Sequence, residues 1–200
     1  MKQDLATRLL DIIEHDIIPL TAKEVKKGNK IFGAAILLKK DLSLIIAETN
    51  NEIENPLWHG EMHAIKKLYE RDHKELPDPK DCIFLATHEP CSLCLSAITW
   101  AGYDNFYYLF SYEQTRDNFA IPHDINILKQ VYGNKDKPQK ELYNKKNEFF
   151  TAHSITQMKE RLSKDDKEKF ADRIETISKL YDDLSKIYQK QKSKNNIPLS

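Results

Sequence analysis

The chain has no net charge: thirty-one Lys and Arg residues are matched by thirty-one Asp and Glu across 200 residues, and no segment carries a long run of one sign. A protein directed at nucleic acid usually shows a basic excess somewhere, so a large polyanionic substrate such as a transfer RNA is not expected. No stretch approaches the ~18 consecutive apolar residues of a membrane span, and no membrane partner is expected either. The opening residues Met1-Lys2-Gln3-Asp4 have no apolar signal-peptide core, which argues against export and for a cytoplasmic setting. Cysteine is scarce. Of the three present, Cys91 and Cys94 stand as Cys-x-x-Cys, which is no disulfide framework. In such a chain that pair reads as catalytic or metal-binding, and Cys82 as an inert buried thiol.

What is present suits one globular domain with an appendage, since 40% of residues are hydrophobic. Residues 3 to about 27 read as an amphipathic helix through Leu5, Leu9, Ile12, Ile13 and Ile17, with a kink at Pro19 and a stop at Gly28. Runs 31–38 and 42–47 read as a hairpin of buried strands, and 48–58 as a polar loop. From His59 the pattern is helical again. A third strand is expected at 83–86, a helix at 91–101 with Pro90 at its first turn, and a fourth strand at 105–110. That alternation predicts a three-layer α/β/α sandwich: a mixed central sheet with helices on both faces. Short helices are expected within 112–132 and a polar connection at 133–140. In the tail, Phe170, Ile174, Ile177, Tyr181, Leu184 and Tyr188 form a heptad stripe, to be buried on the chain's own domain or at a subunit contact. The expected division is 1–132 for the chemistry-bearing domain and 133–200 for a C-terminal helical extension.

Two short motifs carry the chemistry. His59-Gly60-Glu61 opens one predicted helix, and Pro90-Cys91-Ser92-Leu93-Cys94 opens another. One imidazole and two thiolates suit a tetrahedral zinc that keeps its fourth position for water. Cys91 and Cys94 lie three apart, so successive helical turns present both sulfurs to one point, and the positive end of a helix favours thiolates. Glu61 sits two residues from His59, placed to accept a proton from water and pass it on without binding the metal. A closed structural zinc would need a fourth protein ligand, and none is in view. A metalloprotease pair would need glutamate directly after His59, where glycine stands; His63 is therefore read as packing or outer support. His88 is left open between pocket edge and exposed loop, and Trp100 is expected in the core.

These motifs, spaced as H-x-E…P-C-x-x-C, resemble those of zinc-dependent deaminases. The stretch Lys26–Ile36 and the run Asn55-Pro56-Leu57-Trp58-His59-Gly60-Glu61-Met62-His63-Ala64 are similar to the cytidine/deoxycytidylate deaminase superfamily. His59-Gly60-Glu61 is like fungal cytosine deaminases, most relatives having alanine in the middle. The stretch from Thr87 to Ala101, Ala97-Ile98-x-Trp100-Ala101 above all, resembles the guanine deaminase branch. The resemblance covers about residues 3–130. It implies one Zn2+ per chain on His59, Cys91 and Cys94, Glu61 as the proton carrier, a homodimer, and hydrolytic loss of ammonia from a nucleobase or nucleoside. A purine such as guanine is expected first, with a cytosine- or cytidine-type pyrimidine as the alternative. Transfer-RNA adenosine deamination and a non-catalytic binding protein follow. Relatives read the substrate with an asparagine after the second strand; Asn50 and Asn51 both qualify, with Asn51 favoured. Phe32, Ala34, Trp58 and Glu89 complete the substrate contacts that the resemblance implies. The loop before His59 is shorter than in most relatives, and Trp58 replaces a small residue.

Overall fold

Five strands form one mixed sheet in the order β2-β1-β3-β4-β5; the computed structural model describes residues 4–138 and 141–200. The strands are β1 (Gly33–Leu38), β2 (Leu44–Thr49), β3 (Cys82–His88), β4 (Asn105–Phe110) and β5 (Thr151–Ser154). β1 runs antiparallel to both its neighbours, while β3, β4 and β5 are parallel. Strand alternation sends successive side chains to opposite faces, and here both faces are covered. Ala35, Leu37, Ile83, Leu85 and Leu109 pack in one core with the N- and C-terminal helices. Ala34, Ile36, Phe84, Phe106 and Tyr108 pack in the other with Ala64, Leu68, Leu95 and Ile98. The expected α/β/α layering is present.

The N-terminal element runs through unbroken helical turns from Leu5 to Val25. Asp4 caps α1 (Leu5–Ile12) by accepting from the Thr7 N–H at 3.2 Å. The helix widens into a π turn over Ile13–Ile17 and returns to α geometry in α2 (Ile18–Val25). Pro19 has no N–H to bond back along the helix, and the π turn lies just ahead of it. Gly28, at φ +110, ends the segment as expected.

Helices α3 (Gly60–Tyr69) and α4 (Ser92–Trp100) lie side by side on the second core, followed by α5 (Tyr112–Phe119) and α6 (His123–Gln130). After β5 come the short α7 (Ile155–Met158) and the long α8 (Lys164–Gln191). The heptad stripe docks on its own chain: Phe170, Ile177, Tyr181, Leu184 and Tyr188 are buried in the first core, with Ile174 packed against it. Each such burial stabilises by roughly 1.5–3 kcal/mol. Arg173 anchors the helix further, donating to Asp11 at 2.7 Å and to Glu14.

Three features depart from expectation. Trp100 is 91% exposed rather than core, because the buried face of α4 runs through Cys94, Leu95 and Ile98, and residue 100 falls off that face at the helix end. β5 was not foreseen: its half-buried residues Thr-Ala-His-Ser carry no apolar alternation, and pairing with β4 makes the strand. His88 lies neither at a pocket edge nor in a loop but inside the first core, ringed by Phe32, Phe110, Phe119 and Tyr181. Residues 139–140 of the expected polar connection lie outside the described residues.

Candidate metal centre and active site

Local backbone geometry delivers the two motifs to one point. His59 is the N-cap of α3 and Cys91 the N-cap of α4, both extended, and neither spends its side chain on capping. Each side chain is therefore free to face the gap between the helix starts. His59 Nδ1 lies 3.4 Å from Cys91 Sγ and 3.7 Å from Cys94 Sγ. Bond lengths of about 2.0–2.1 Å to nitrogen and about 2.3 Å to sulfur separate N and S by roughly 3.6 Å in a tetrahedral zinc site. The three donors fit such an ion.

The electrostatics agree. A hydrogen bond from Cys94, and then the adjacent His59, hold the Cys91 thiol well below its ordinary range against the opposing effect of burial. Burial pulls His59 down, but the Cys91 thiolate, Glu52 and Glu61 together raise it to about 9. Glu61, 5% exposed, reaches to 3.3 Å from Cys94 Sγ. Burial, and then the Cys91 charge, push its carboxyl up to about 7, the range in which a group both takes and gives protons at neutral pH.

The glycine between His59 and Glu61 has a packing cause. A Cβ on Gly60 would stand 2.8 Å from the Gly33 Cα, backbone against backbone, so α3 approaches β1 more closely than alanine allows. The middle residue of this motif thus reports helix–strand contact rather than substrate choice.

His59 and Cys91 line a cavity of about 370 Å³, within the range of small-molecule sites. Phe32, Leu93, Ile121 and Ile127 give it apolar walls; Lys30, Glu52, His123 and Asp124 supply polar groups. Asp124 is half-exposed as a residue, but its carboxyl is sunk toward Cys91, and that burial raises it well above the usual carboxylate range.

Of the expected substrate contacts, only Phe32 lines this cavity. Ala34 points from β1 into the second core. Trp58 stacks on His63 and receives Lys66 over its ring, on the far side of the loop. Glu89 braces the turn before Cys91: it accepts from the Tyr112 N–H at 3.1 Å, from Tyr143 Oη at 2.8 Å and from Lys145 Nζ at 2.9 Å. Asn51, favoured in the sequence, donates to Glu54 at 2.6 Å, because the shortened loop folds back through its N–H to Trp58 O. Asn50 is the buried one, with its amide tied to Glu52 and to the Gly60 N–H. His63 is packed, as expected, with Nδ1 at 2.9 Å from Thr49 O. Cys82 is a buried thiol that burial pushes up to about 11, in keeping with inertness. Sequence reading missed Lys30, Glu52 and Asp124: a charged residue next to a strand or helix start reads as solvated until the fold closes over it.

Comparison with known proteins followed the same lines. Residues 15–110 match the cytidine and deoxycytidylate deaminase zinc-binding region. A guanine deaminase of Bacillus subtilis is 35% identical over 119 residues, which span 55% of this chain and 65% of that protein, just under two thirds of its length. The solved structure of a guanine deaminase from Bacillus subtilis superposes with a TM-score of 0.51 at 27% identity, covering 68% of this chain and 79% of that one. A guanine deaminase from Nitrosomonas europaea shares the fold at a TM-score of 0.57 and 17% identity, covering 92% and 85% of the two chains. The paired zinc motifs, the mixed sheet that sets them face to face and these matches make the chain similar to the cytidine and deoxycytidylate deaminases over residues 15–110, and to guanine deaminases in particular.

Proposed function

We propose that the protein is a zinc-dependent hydrolytic deaminase of a small nucleobase or nucleoside, with guanine or a related purine as substrate. The observation that carries the reading is the convergence of His59 Nδ1, both cysteine sulfurs and the Glu61 carboxylate beside an apolar-walled cavity. His59, Cys91 and Cys94 would hold one zinc per chain. A zinc ion there supplies a Lewis acid that makes water acidic near neutral pH.

The chain's own groups account for the proton traffic. As the oxygen of water bonds to the amidine carbon, Glu61 takes up a water proton and gives it to the adjoining ring nitrogen. A second proton passes by Glu61 to the amino nitrogen, which leaves as ammonia with the electrons of the broken C–N bond. Phe32 and the isoleucine walls hold the ring plane and exclude water. Asp124, whose carboxyl burial raises well above the usual carboxylate range, lines the cavity beside His59 and Cys91 and is placed to contact a polar ring atom. The role of Asp124 replaces that expected of Asn51.

Support for a purine comes from the guanine deaminase of Bacillus subtilis that the chain matches. The pyrimidine alternative rested on glycine at position 60, which contact with Gly33 explains without reference to substrate. The reading also keeps a homodimer, a cytoplasmic setting, and the division at residue 132, although 133–200 gives the sheet its fifth strand. Trp100 and Phe149, exposed along one groove, are the surface a second copy would cover. Among the described residues no helix is long and apolar enough to cross a membrane. Ammonia release from a panel of guanine, adenine, cytosine, guanosine and cytidine tests the substrate: guanine is expected to be turned over fastest. Turnover of cytosine alone would contradict it.

A further inference from the structure

Glu52 is a carboxylate that the proposed chemistry leaves unused, yet it is 3% exposed. Its Oε1 lies 2.6 Å from Lys30 Nζ, itself buried, and its Oε2 accepts from the Lys30 N–H at 3.3 Å and from Asn50 Nδ2 at 2.8 Å. The same Oε1 stands 3.8 Å from His59 Nε2, an ion-pair separation rather than a hydrogen bond. His59 is thus held between two sulfurs facing Nδ1 and one carboxylate facing Nε2. Asn50 ties the arrangement to the helix: its Oδ1 accepts from the Gly60 N–H at 2.7 Å, one residue beyond His59.

A buried ion pair is a poor way to stabilise a fold, because desolvating two charges offsets most of their attraction, and an apolar pair of equal volume often serves as well or better. Metal-bound histidines commonly give their second ring N–H to a carboxylate, which fixes tautomer and ring orientation. We propose that Glu52 is a positioning residue for His59, its carboxylate facing Nε2–H as an ion-pair partner so that Nδ1 is the metal donor. Lys30 and Asn50 hold the Glu52 carboxylate aimed at His59. The Asn50 amide belongs to this clamp. The inference rests on the reading of His59 as a zinc ligand, and it concerns residues outside the ligand set.

The test is the zinc dissociation constant, read by competition with a chromogenic chelator. It compares wild type, Glu52→Gln, and the double variant Lys30→Met with Glu52→Gln, which removes both charges at similar volume. Outer partners of metal ligands are typically worth about 10–100-fold in metal affinity. Both variants are therefore expected to bind zinc about 10–100-fold more weakly, including the double variant, whose neutral pair leaves no charge stranded in the fold. Wild-type affinity in either folded variant would overturn the clamp and leave a structural ion pair. Nuclear magnetic resonance of the cadmium-substituted, nitrogen-labelled wild-type protein needs no variant to fold. Metal coupling at Nδ1 with a protected Nε2 proton is expected, and coupling at Nε2 would overturn the proposal. Failure of the wild type to bind zinc at all would instead defeat the metal reading, and the clamp with it.

Discussion

A single buried histidine shows how closely position sets chemistry here. His88 is 3% exposed, its Nδ1 shared with Thr87 Oγ1 at 2.9 Å, and burial lowers it to about 3. It stays neutral in the folded protein while the same side chain in the unfolded chain titrates near 6.5. Above that pH neither state holds the proton and stability is unaffected. As pH falls below it, the unfolded chain takes up a proton that the native one refuses, so stability declines toward the folded value. The loss amounts to on the order of 2 kcal/mol between pH 6.5 and pH 5. Urea unfolding at both pH values, for wild type and His88→Leu, checks this: the variant should lack that part of the pH slope. Equal slopes would show that His88 is protonated in the fold. The sequence could not announce this role, because a histidine before a Cys-x-x-Cys motif reads equally as loop or pocket until α8 covers it. Gly60 is the reverse case, visible as a departure from alanine but explicable only once Gly33 is seen against it.

Among elements, those with strong internal signals were legible and those made by partners were not. The stripe of α8 was readable because six apolar positions keep to one face over five turns of a charged helix, and a face of that length must be covered. Its burial on the sheet gives a quantitative expectation. Ile177 is 0% exposed in the first core, whereas Leu180 on the same helix is 42% exposed. Ile177→Ala should cost about 2–5 kcal/mol, and Leu180→Ala should change stability by no more than about 0.5 kcal/mol. Chemical denaturation midpoints of the two variants decide it, and equal effects would mean that α8 does not dock as described. β5 had no such signal, being a short edge strand whose register comes from β4. Likewise the π turn at Ile13–Ile17 lies just ahead of Pro19, but the sequence alone could not choose between widening and kinking.

For the whole molecule, the chemistry was more legible than the pocket. The metal motifs are local, each opening a helix, so their residue types and spacing survive in one dimension. The cavity is assembled from five separate segments, 30–32, 52–59, 91–93, 121–127 and 198–199. Its buried polar groups, Lys30, Glu52 and Asp124, therefore could not be read from any one of them. Of the substrate contacts inferred by resemblance, Asn51, Trp58 and Glu89 hold local partners outside the cavity lining. On the proposed function, this fold brings a zinc triad and a separate proton carrier to one point. Glu61→Ala tests it most directly, with zinc content and steady-state kinetics measured on the same preparation. The account predicts about one zinc per chain retained and a loss of ~10²–10⁴ in rate, falling in kcat more than in KM. A variant with near-normal kcat, or one that has lost its zinc, would contradict it.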